Sequence, residues 1–129
     1  MRYPKYSDPR EAFWAVTLSK TRNACHSRRG LAFNLTLEDV MSLEIMQEGC
    51  CALTGIKYQH WRGGYGGGKN SLVATLDRID SKQGYVVGNV QIACWFANCL
   101  KGDLPMYHWQ SHYDEVLKQI LEQHGSYST

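Results

Sequence analysis

Three polar residues are spaced so that they could build a metal site. Asp77 ends a segment that alternates like a β-strand, Asn89 lies in the loop that follows, and Asn98 lies on the next expected helix. If that helix packs against the two strands, the side chains of Asp77 and Asn98 converge although they are 21 positions apart. Carboxylate and amide oxygens are hard ligands, which favours one Mg²⁺ or Mn²⁺ ion that keeps several waters. The pattern therefore predicts a divalent metal site with room for a phosphate group.

The elements expected around these residues are a strand, a second strand and a helix. The strands are predicted over 71–80 and 90–92, and the helix over 94–101. A last helix, 104–124, carries an apolar stripe that we expect to belong to the core. The sequence thus predicts an α+β fold whose hairpin and helix lie between N-terminal and C-terminal helices.

The N-terminal third is predicted to be mostly helical. Asp8 followed by proline is a helix start, and a basic helix is expected within 1–30. The segment 31–36, LAFNLT, alternates like a short half-buried strand. Thr36 with Asp39 three residues later resembles a capping box, which predicts a second helix from there to about residue 47.

Length and composition exclude several classes of protein. The chain has 129 residues, of which 43% are hydrophobic and 20% charged, which is typical of one folded domain and not of a disordered chain. It contains no apolar run of the roughly 18 residues that a membrane span needs, and its first residues lack the apolar segment of a signal peptide. We expect a single soluble domain in the cytoplasm, and both a monomer and a homodimer fit the sequence.

Positive charge is concentrated in two zones of the chain. Residues 1–34 carry seven lysines and arginines against two carboxylates, and residues 57–103 carry six against three. Zones of this kind could bind the phosphates of a nucleic acid, although solvated faces explain a charge pattern equally well. A glycine-rich loop over 61–70 could close on the nucleic acid or serve as a connector. The candidate phosphate contacts are Arg28, Arg29, Arg62, Lys69, Lys82 and Lys101.

The sequence resembles a known family, the HNH endonucleases, also called His-Me finger or ββα-metal nucleases, and in particular their small bacteriophage versions. The resemblance is carried by CALTG at 51–55 and LDRIDSKQGYVVGNVQIACWFANCLKGD at 76–103. It covers roughly residues 28–103, with the catalytic core expected within 50–103. It implies hydrolysis of DNA phosphodiester bonds with one divalent ion, and it implies the cytoplasm of the host cell if a phage encodes the chain.

The resemblance gives each polar residue a role. It implies that Asp77 and Asn98 hold the metal and that Asn89 steadies the loop between them. Taken singly, an aspartate in an ion pair with Arg78 or an asparagine in a turn has a purely structural explanation. Their order along the chain favours the functional interpretation.

One residue departs from the family pattern. Arg78 stands where the family has the histidine that activates water, and a guanidinium cannot accept that proton, although it can hold a phosphate. By strand alternation Asp80 shares a face with Arg78 and is one candidate base, and His60 is another. His108 and His112 have a spacing that suits a metal, but we expect them to be solvated or packed. Alternatively, bulk solvent takes the proton and turnover is slow.

The five cysteines do not have the number and spacing of a disulfide framework or of a zinc site. Cys50 and Cys51 are adjacent, and Cys94 and Cys99 are separated by four residues, which fits a four-thiolate zinc site poorly. We expect buried thiols and no structural zinc. The alternatives to a nuclease are therefore a catalytically inactive DNA-binding module on the same fold and, less favoured by these spacings, a zinc-stabilised interaction domain.

Overall fold

A computed structural model of the chain describes residues 6–63 and 70–102, together with five positions between 111 and 122. The side chains of Arg28 and Arg29 are outside this description. The described part contains three α-helices and one two-stranded antiparallel sheet, so the predicted α+β class is confirmed. Within these residues, no helix is both long enough and apolar enough to cross a bilayer.

The first helix, α1, is Pro9–Ala24 and continues as a π-helical turn, Cys25–Arg29. The Asp8 side chain caps its start by accepting a hydrogen bond from the Arg10 N–H at 2.8 Å. Gly30, at φ 61°, ends the helical segment in the left-handed conformation that glycine adopts without strain. The buried side of α1 contributes three large apolar side chains to the core, namely Phe13, Trp14 and Leu18.

The segment 31–36 differs from its prediction, because it does not form a strand. It makes one isolated parallel bridge, between Phe33 and Tyr85, and Tyr85 N–H donates to the Ala32 carbonyl at 2.9 Å. The chains approach so closely here that a Cβ atom on Gly84 would lie 2.2 Å from the Ala32 carbonyl oxygen. An alternating pattern indicates a half-buried extended segment, but it does not provide a long partner strand.

The second helix, α2, is Leu37–Met46 and begins with the predicted capping box. The Asp39 N–H donates to the Thr36 hydroxyl at 3.2 Å, and the Thr36 N–H donates to the Asp39 carboxylate at 2.8 Å. The two side chains therefore satisfy each other's backbone donors. Val40 and Glu44, one turn apart, are the buried positions of this helix.

The hairpin and the helix after it confirm the predicted order of elements. Strand β1 is Ala74–Arg78 and pairs antiparallel with β2, Val90–Cys94, so that Asp77 lies opposite Gln91. Helix α3, Trp95–Lys101, packs against both strands. Strand β1 is shorter than the predicted 71–80, because the chain turns after Arg78, and β2 extends two residues past its prediction.

The predicted C-terminal helix, 104–124, falls largely outside the described residues. The five positions that are described are helical and exposed, namely Ser111, Asp114, Glu115, Lys118 and Glu122. His108 and His112 lie outside the described part, and the organisation of the whole chain as one domain stays a prediction.

We expect Thr36→Ala to lower the free energy of unfolding by about 1 kcal/mol, because it leaves the first turn of α2 without its side-chain acceptor. Urea denaturation followed by circular dichroism measures the change. Ser42→Ala, at an exposed position within the same helix, is the matched control and should leave stability unchanged or slightly raised. Equal losses in the two variants would contradict a role for the capping box.

Candidate functional site

Asp77 is a buried carboxylate near the end of β1, only 3% exposed. One of its oxygens accepts a hydrogen bond from Lys101 Nζ at 3.0 Å, and the other accepts one from Gln91 Nε2 at 2.8 Å. Lys101 also donates to the Arg78 carbonyl at 3.0 Å. A buried carboxylate is tolerated only when it is paired and hydrogen-bonded, and these contacts meet that condition.

The position of Lys101 differs from its prediction as a phosphate contact. Its side chain is 1% exposed, and its ammonium is the counter-ion of Asp77. The reason is helical spacing, because Ala97, Asn98 and Lys101 lie on the face of α3 that packs against the hairpin. Lysine usually reaches solvent, so its burial here follows from the carboxylate that it neutralises.

Asn98 is held in one orientation by β1. Its Nδ2 donates to the Thr75 hydroxyl at 3.0 Å and to the Leu76 carbonyl at 3.5 Å. With the amide nitrogen engaged, Oδ1 is the atom that can face a ligand. Asn98 and Asp77 line one cavity of about 200 Å³. The structure thus brings the two predicted metal ligands to the same space.

Arg78 lines the same cavity and is fixed by the turn after β1. Its Nη1 donates to the Ser81 carbonyl at 2.7 Å and to the Gln83 carbonyl at 3.1 Å. Its guanidinium carbon lies 5.3 Å from the centre of the Tyr85 ring. A guanidinium has five N–H donors, so donors remain after these bonds. Arg78 is therefore a positioned cation at the edge of the cavity.

Asn89 joins the two sides of the loop between the strands. Its Oδ1 accepts from the Asp80 N–H at 2.9 Å, and its Nδ2 donates to the carbonyls of Asp80 at 3.1 Å and Gly84 at 2.9 Å. The side chain is buried and does not line the cavity. It acts on the cavity indirectly, because the loop that it ties together supplies the carbonyls that fix Arg78.

Asp80 does not share a strand face with Arg78, so that prediction is wrong. Strand β1 ends at Arg78, and Asp80 lies in the turn that follows, where its carboxylate accepts from the Lys82 N–H at 2.9 Å and from Gln83 Nε2 at 3.2 Å. Asp80 does not line the cavity. Lys82 is exposed on the same turn. Asp80 thus stabilises the turn. Strand alternation no longer supports it as a candidate base.

His60 belongs to a second polar cluster, away from the cavity of Asp77. Its Nε2 lies 2.5 Å from Glu44 Oε2, and the same oxygen accepts from Trp14 Nε1 at 2.5 Å. Burial, together with the Glu44 carboxylate, raises the pKa of the Tyr58 phenol. This cluster was not predicted, although Glu44 stands one helical turn after Val40 on a helix face that the sequence shows to be apolar.

Of the remaining predicted phosphate contacts, the structure describes the side chain of Arg62. Arg62 is bound to α1: its Nη2 donates to the Phe13 carbonyl at 3.1 Å and to the Thr17 hydroxyl, and its guanidinium lies 4.0 Å above the centre of the Phe13 ring. Lys69 lies outside the described residues, as do the side chains of Arg28 and Arg29.

Two of the cysteines lie together in the core. The Cys94 N–H donates to Cys51 Sγ at 3.2 Å, and burial, with the neighbouring Cys51, raises the pKa of Cys94 to about 12. Cys99 is exposed. In the part of the chain that the structure describes, no three His, Cys, Asp or Glu side chains gather around one possible metal position.

Comparison with known proteins gives one structural likeness. No known protein family and no curated protein matches the sequence. Among solved structures, the chain is similar to the rare-cutting HNH restriction endonuclease PacI, an enzyme described for a mechanism of DNA perturbation. The TM-score is 0.60 at 18% identity, over 86% of this chain and 80% of that chain. The likeness shows that the two chains share their fold.

Lys101→Met should destabilise the protein by about 3–5 kcal/mol, because it leaves the Asp77 carboxylate buried without a counter-ion. Urea denaturation measures the loss. The matched control is Lys82→Met, at an exposed position, for which we expect a change within about 0.5 kcal/mol.

The double variant Asp77→Leu/Lys101→Met removes both charges and should recover much of the loss. If Lys101→Met were as mild as Lys82→Met, the ion pair would not have the structural role described here.

Proposed function

We propose that the protein is a metal-dependent DNA endonuclease that hydrolyses phosphodiester bonds in the cavity of Asp77. The observation that carries this proposal is the shared lining of that cavity, where Asp77, Arg78 and Asn98 present a carboxylate, a guanidinium and an amide on an HNH-like fold. At roughly 30 Å³ for each water, the volume corresponds to about seven waters, enough for a partly hydrated cation and a phosphate group.

The protein atoms at the cavity suit a hard divalent cation, with Mg²⁺ favoured and Mn²⁺ also suitable. Each Asp77 oxygen accepts one hydrogen bond from the described residues, and a carboxylate can accept about four in all. Asn98 Oδ1 accepts no hydrogen bond from the described residues. Asp77 and Asn98 would therefore hold the ion. When bound, it would supply Lewis-acid stabilisation of the charge on the phosphate and the leaving oxygen.

Lys101 lowers the attraction of this site for a metal ion without contacting the substrate. Its ammonium already balances the charge of Asp77, so the cavity has little net attraction for a free cation. We therefore expect weak metal binding by the protein alone and stronger binding when the phosphate of DNA adds negative charge.

Arg78 holds the phosphate in this mechanism. Its guanidinium is oriented by the carbonyls of Ser81 and Gln83, so little freedom is lost when its remaining N–H groups donate to a phosphate oxygen. The guanidinium also stabilises the negative charge that develops on the phosphate during attack by water. Neither Asp80 nor His60 lines the cavity, so the proton of the attacking water passes to solvent and turnover is slow.

Phosphates farther along the DNA are bound by cations outside the cavity. Lys82 is exposed on the turn beside Arg78, and Arg28, Arg29 and Lys69 are the further candidates from the charge pattern. These contacts supply affinity that is independent of sequence and sensitive to salt.

Asp77→Asn and Asn98→Ala should each lower the rate of plasmid nicking by about 100-fold or more, because each removes an interaction with the reacting charges. Asp77→Asn keeps the size of the side chain but leaves the buried Lys101 ammonium without its carboxylate, so circular dichroism must show that the variant is folded under the assay conditions. The measurement is conversion of supercoiled plasmid to nicked circles in Mg²⁺, in Mn²⁺ and in chelator. Glu38→Gln, an exposed carboxyl-to-amide change on α2, is the control and should nick at the wild-type rate.

Retention of full activity by both site variants would remove this cavity as the place of reaction. Activity in chelator would contradict metal dependence.

A catalytically inactive DNA-binding module is the second candidate, favoured by the guanidinium at position 78. The two functions give opposite results for Arg78→His. If the protein is an enzyme that uses Arg78 as proposed, this variant should nick at least about tenfold more slowly than the wild type, because an imidazole cannot keep both the carbonyl bonds and the phosphate contact.

If the wild type binds DNA but does not nick it in any divalent ion, and Arg78→His gains nicking, the protein is an inactive module. The same plasmid assay, with DNA binding measured in parallel, distinguishes the two.

A further inference from the structure

A second cavity, of about 320 Å³, lies between α1 and β1. Thr17, Lys20 and Thr21 line it from α1, and Arg62 lies at the same wall. We call it the α1–β1 groove. Nothing in the mechanism above uses its α1 wall.

The α1–β1 groove adjoins the cavity of Asp77. Leu76 and Tyr85 line both spaces, so the two cavities are neighbours. A strand of DNA whose phosphate is held at Arg78 must continue beyond that cavity, and this groove is a neighbouring space with cations on one wall. The position of the groove therefore links it to the proposed substrate.

The α1 wall has the chemistry of a phosphate-binding surface. Thr17, Lys20 and Thr21 are three and four residues apart, which places two hydroxyls and an ammonium on one face of the helix. Lys20 is exposed and has no acidic partner among the described residues. Phosphate oxygens are bound in protein–DNA complexes by side chains of these types.

Arg62 adds a fixed cation to this wall. Its guanidinium donates to the Phe13 carbonyl and the Thr17 hydroxyl and lies over the Phe13 ring. A cation that is already oriented loses little conformational entropy when it contacts a phosphate. The groove thus combines an exposed ammonium and an oriented guanidinium along one side.

We propose that the α1–β1 groove binds the sugar–phosphate backbone of a DNA strand next to the phosphate in the Asp77 cavity, with Lys20 contacting the neighbouring phosphate. This inference rests on the proposed function in taking DNA as the ligand and the Asp77 cavity as the position of one of its phosphates. The apolar β1 side, which includes Leu76, faces the sugar, and the α1 wall faces the phosphates.

The test compares two single-charge variants of α1, Lys20→Ala and Arg22→Ala. Both positions are exposed, and both substitutions remove one positive charge, but the positions are about 200° apart around the helix and Arg22 does not line the groove. Both are made in the otherwise wild-type protein, because chelator prevents metal-dependent cleavage during the binding measurement. Binding to a fluorescein-labelled DNA duplex is measured by anisotropy in chelator, between about 50 and 200 mM salt, the range in which such contacts change affinity strongly.

Lys20→Ala should weaken binding by about tenfold and make the slope of log K against log salt shallower by about 0.9, as expected for one lost phosphate contact. Arg22→Ala should stay within about twofold of its parent. Equal effects of the two variants would show that only the total charge of α1 matters, and unchanged binding by Lys20→Ala would show that DNA lies elsewhere. Either result overturns the inference.

The outcome is separable from that of the proposed function, because binding is measured without metal and without cleavage. DNA binding that depends on Lys20 in a protein that never nicks plasmid would support the groove and reject the enzyme. Nicking by the wild type, with equal effects of Lys20→Ala and Arg22→Ala on binding, would support the enzyme and reject the groove.

Discussion

The buried carboxylate of Asp77 is the constraint on which the hairpin and its helix depend. A charge at this depth requires partners, and it finds one on each neighbouring element, Lys101 on α3 and Gln91 on β2. The contacts that neutralise Asp77 therefore also fix the relative positions of α3, β1 and β2. The group proposed to hold the metal and the group that joins the three elements are the same side chain.

This double role explains why the cavity is polar but not strongly acidic. The ammonium of Lys101 cancels the charge of Asp77, and Arg78 adds a further positive charge at the cavity edge. An electrostatic environment of this kind suits a phosphodiester better than it suits an isolated cation. The substrate itself would then complete the balance of charge that the reaction needs.

Local signals predicted much of the fold. The capping box at Thr36 and the order of strand, strand and helix depend on residues close in sequence, so they could be read without a structure. The partners of Asp77 were harder to predict from the sequence, because the packing of α3 brings Lys101 to it. Gln91 can be predicted as a partner of Asp77 once the register of the hairpin is known, because that register places the two residues opposite each other. The predicted strand over 31–36 failed because alternation does not specify a partner.

The close contact between Gly84 and Ala32 connects the cavity to a segment far earlier in the chain. Even a methyl group at position 84 would collide with the Ala32 carbonyl, and the loop would have to shift. The same loop carries the Gln83 carbonyl that orients Arg78. If the protein is the proposed nuclease, a side chain at position 84 would therefore lower activity from outside the cavity, by shifting the loop that orients the guanidinium.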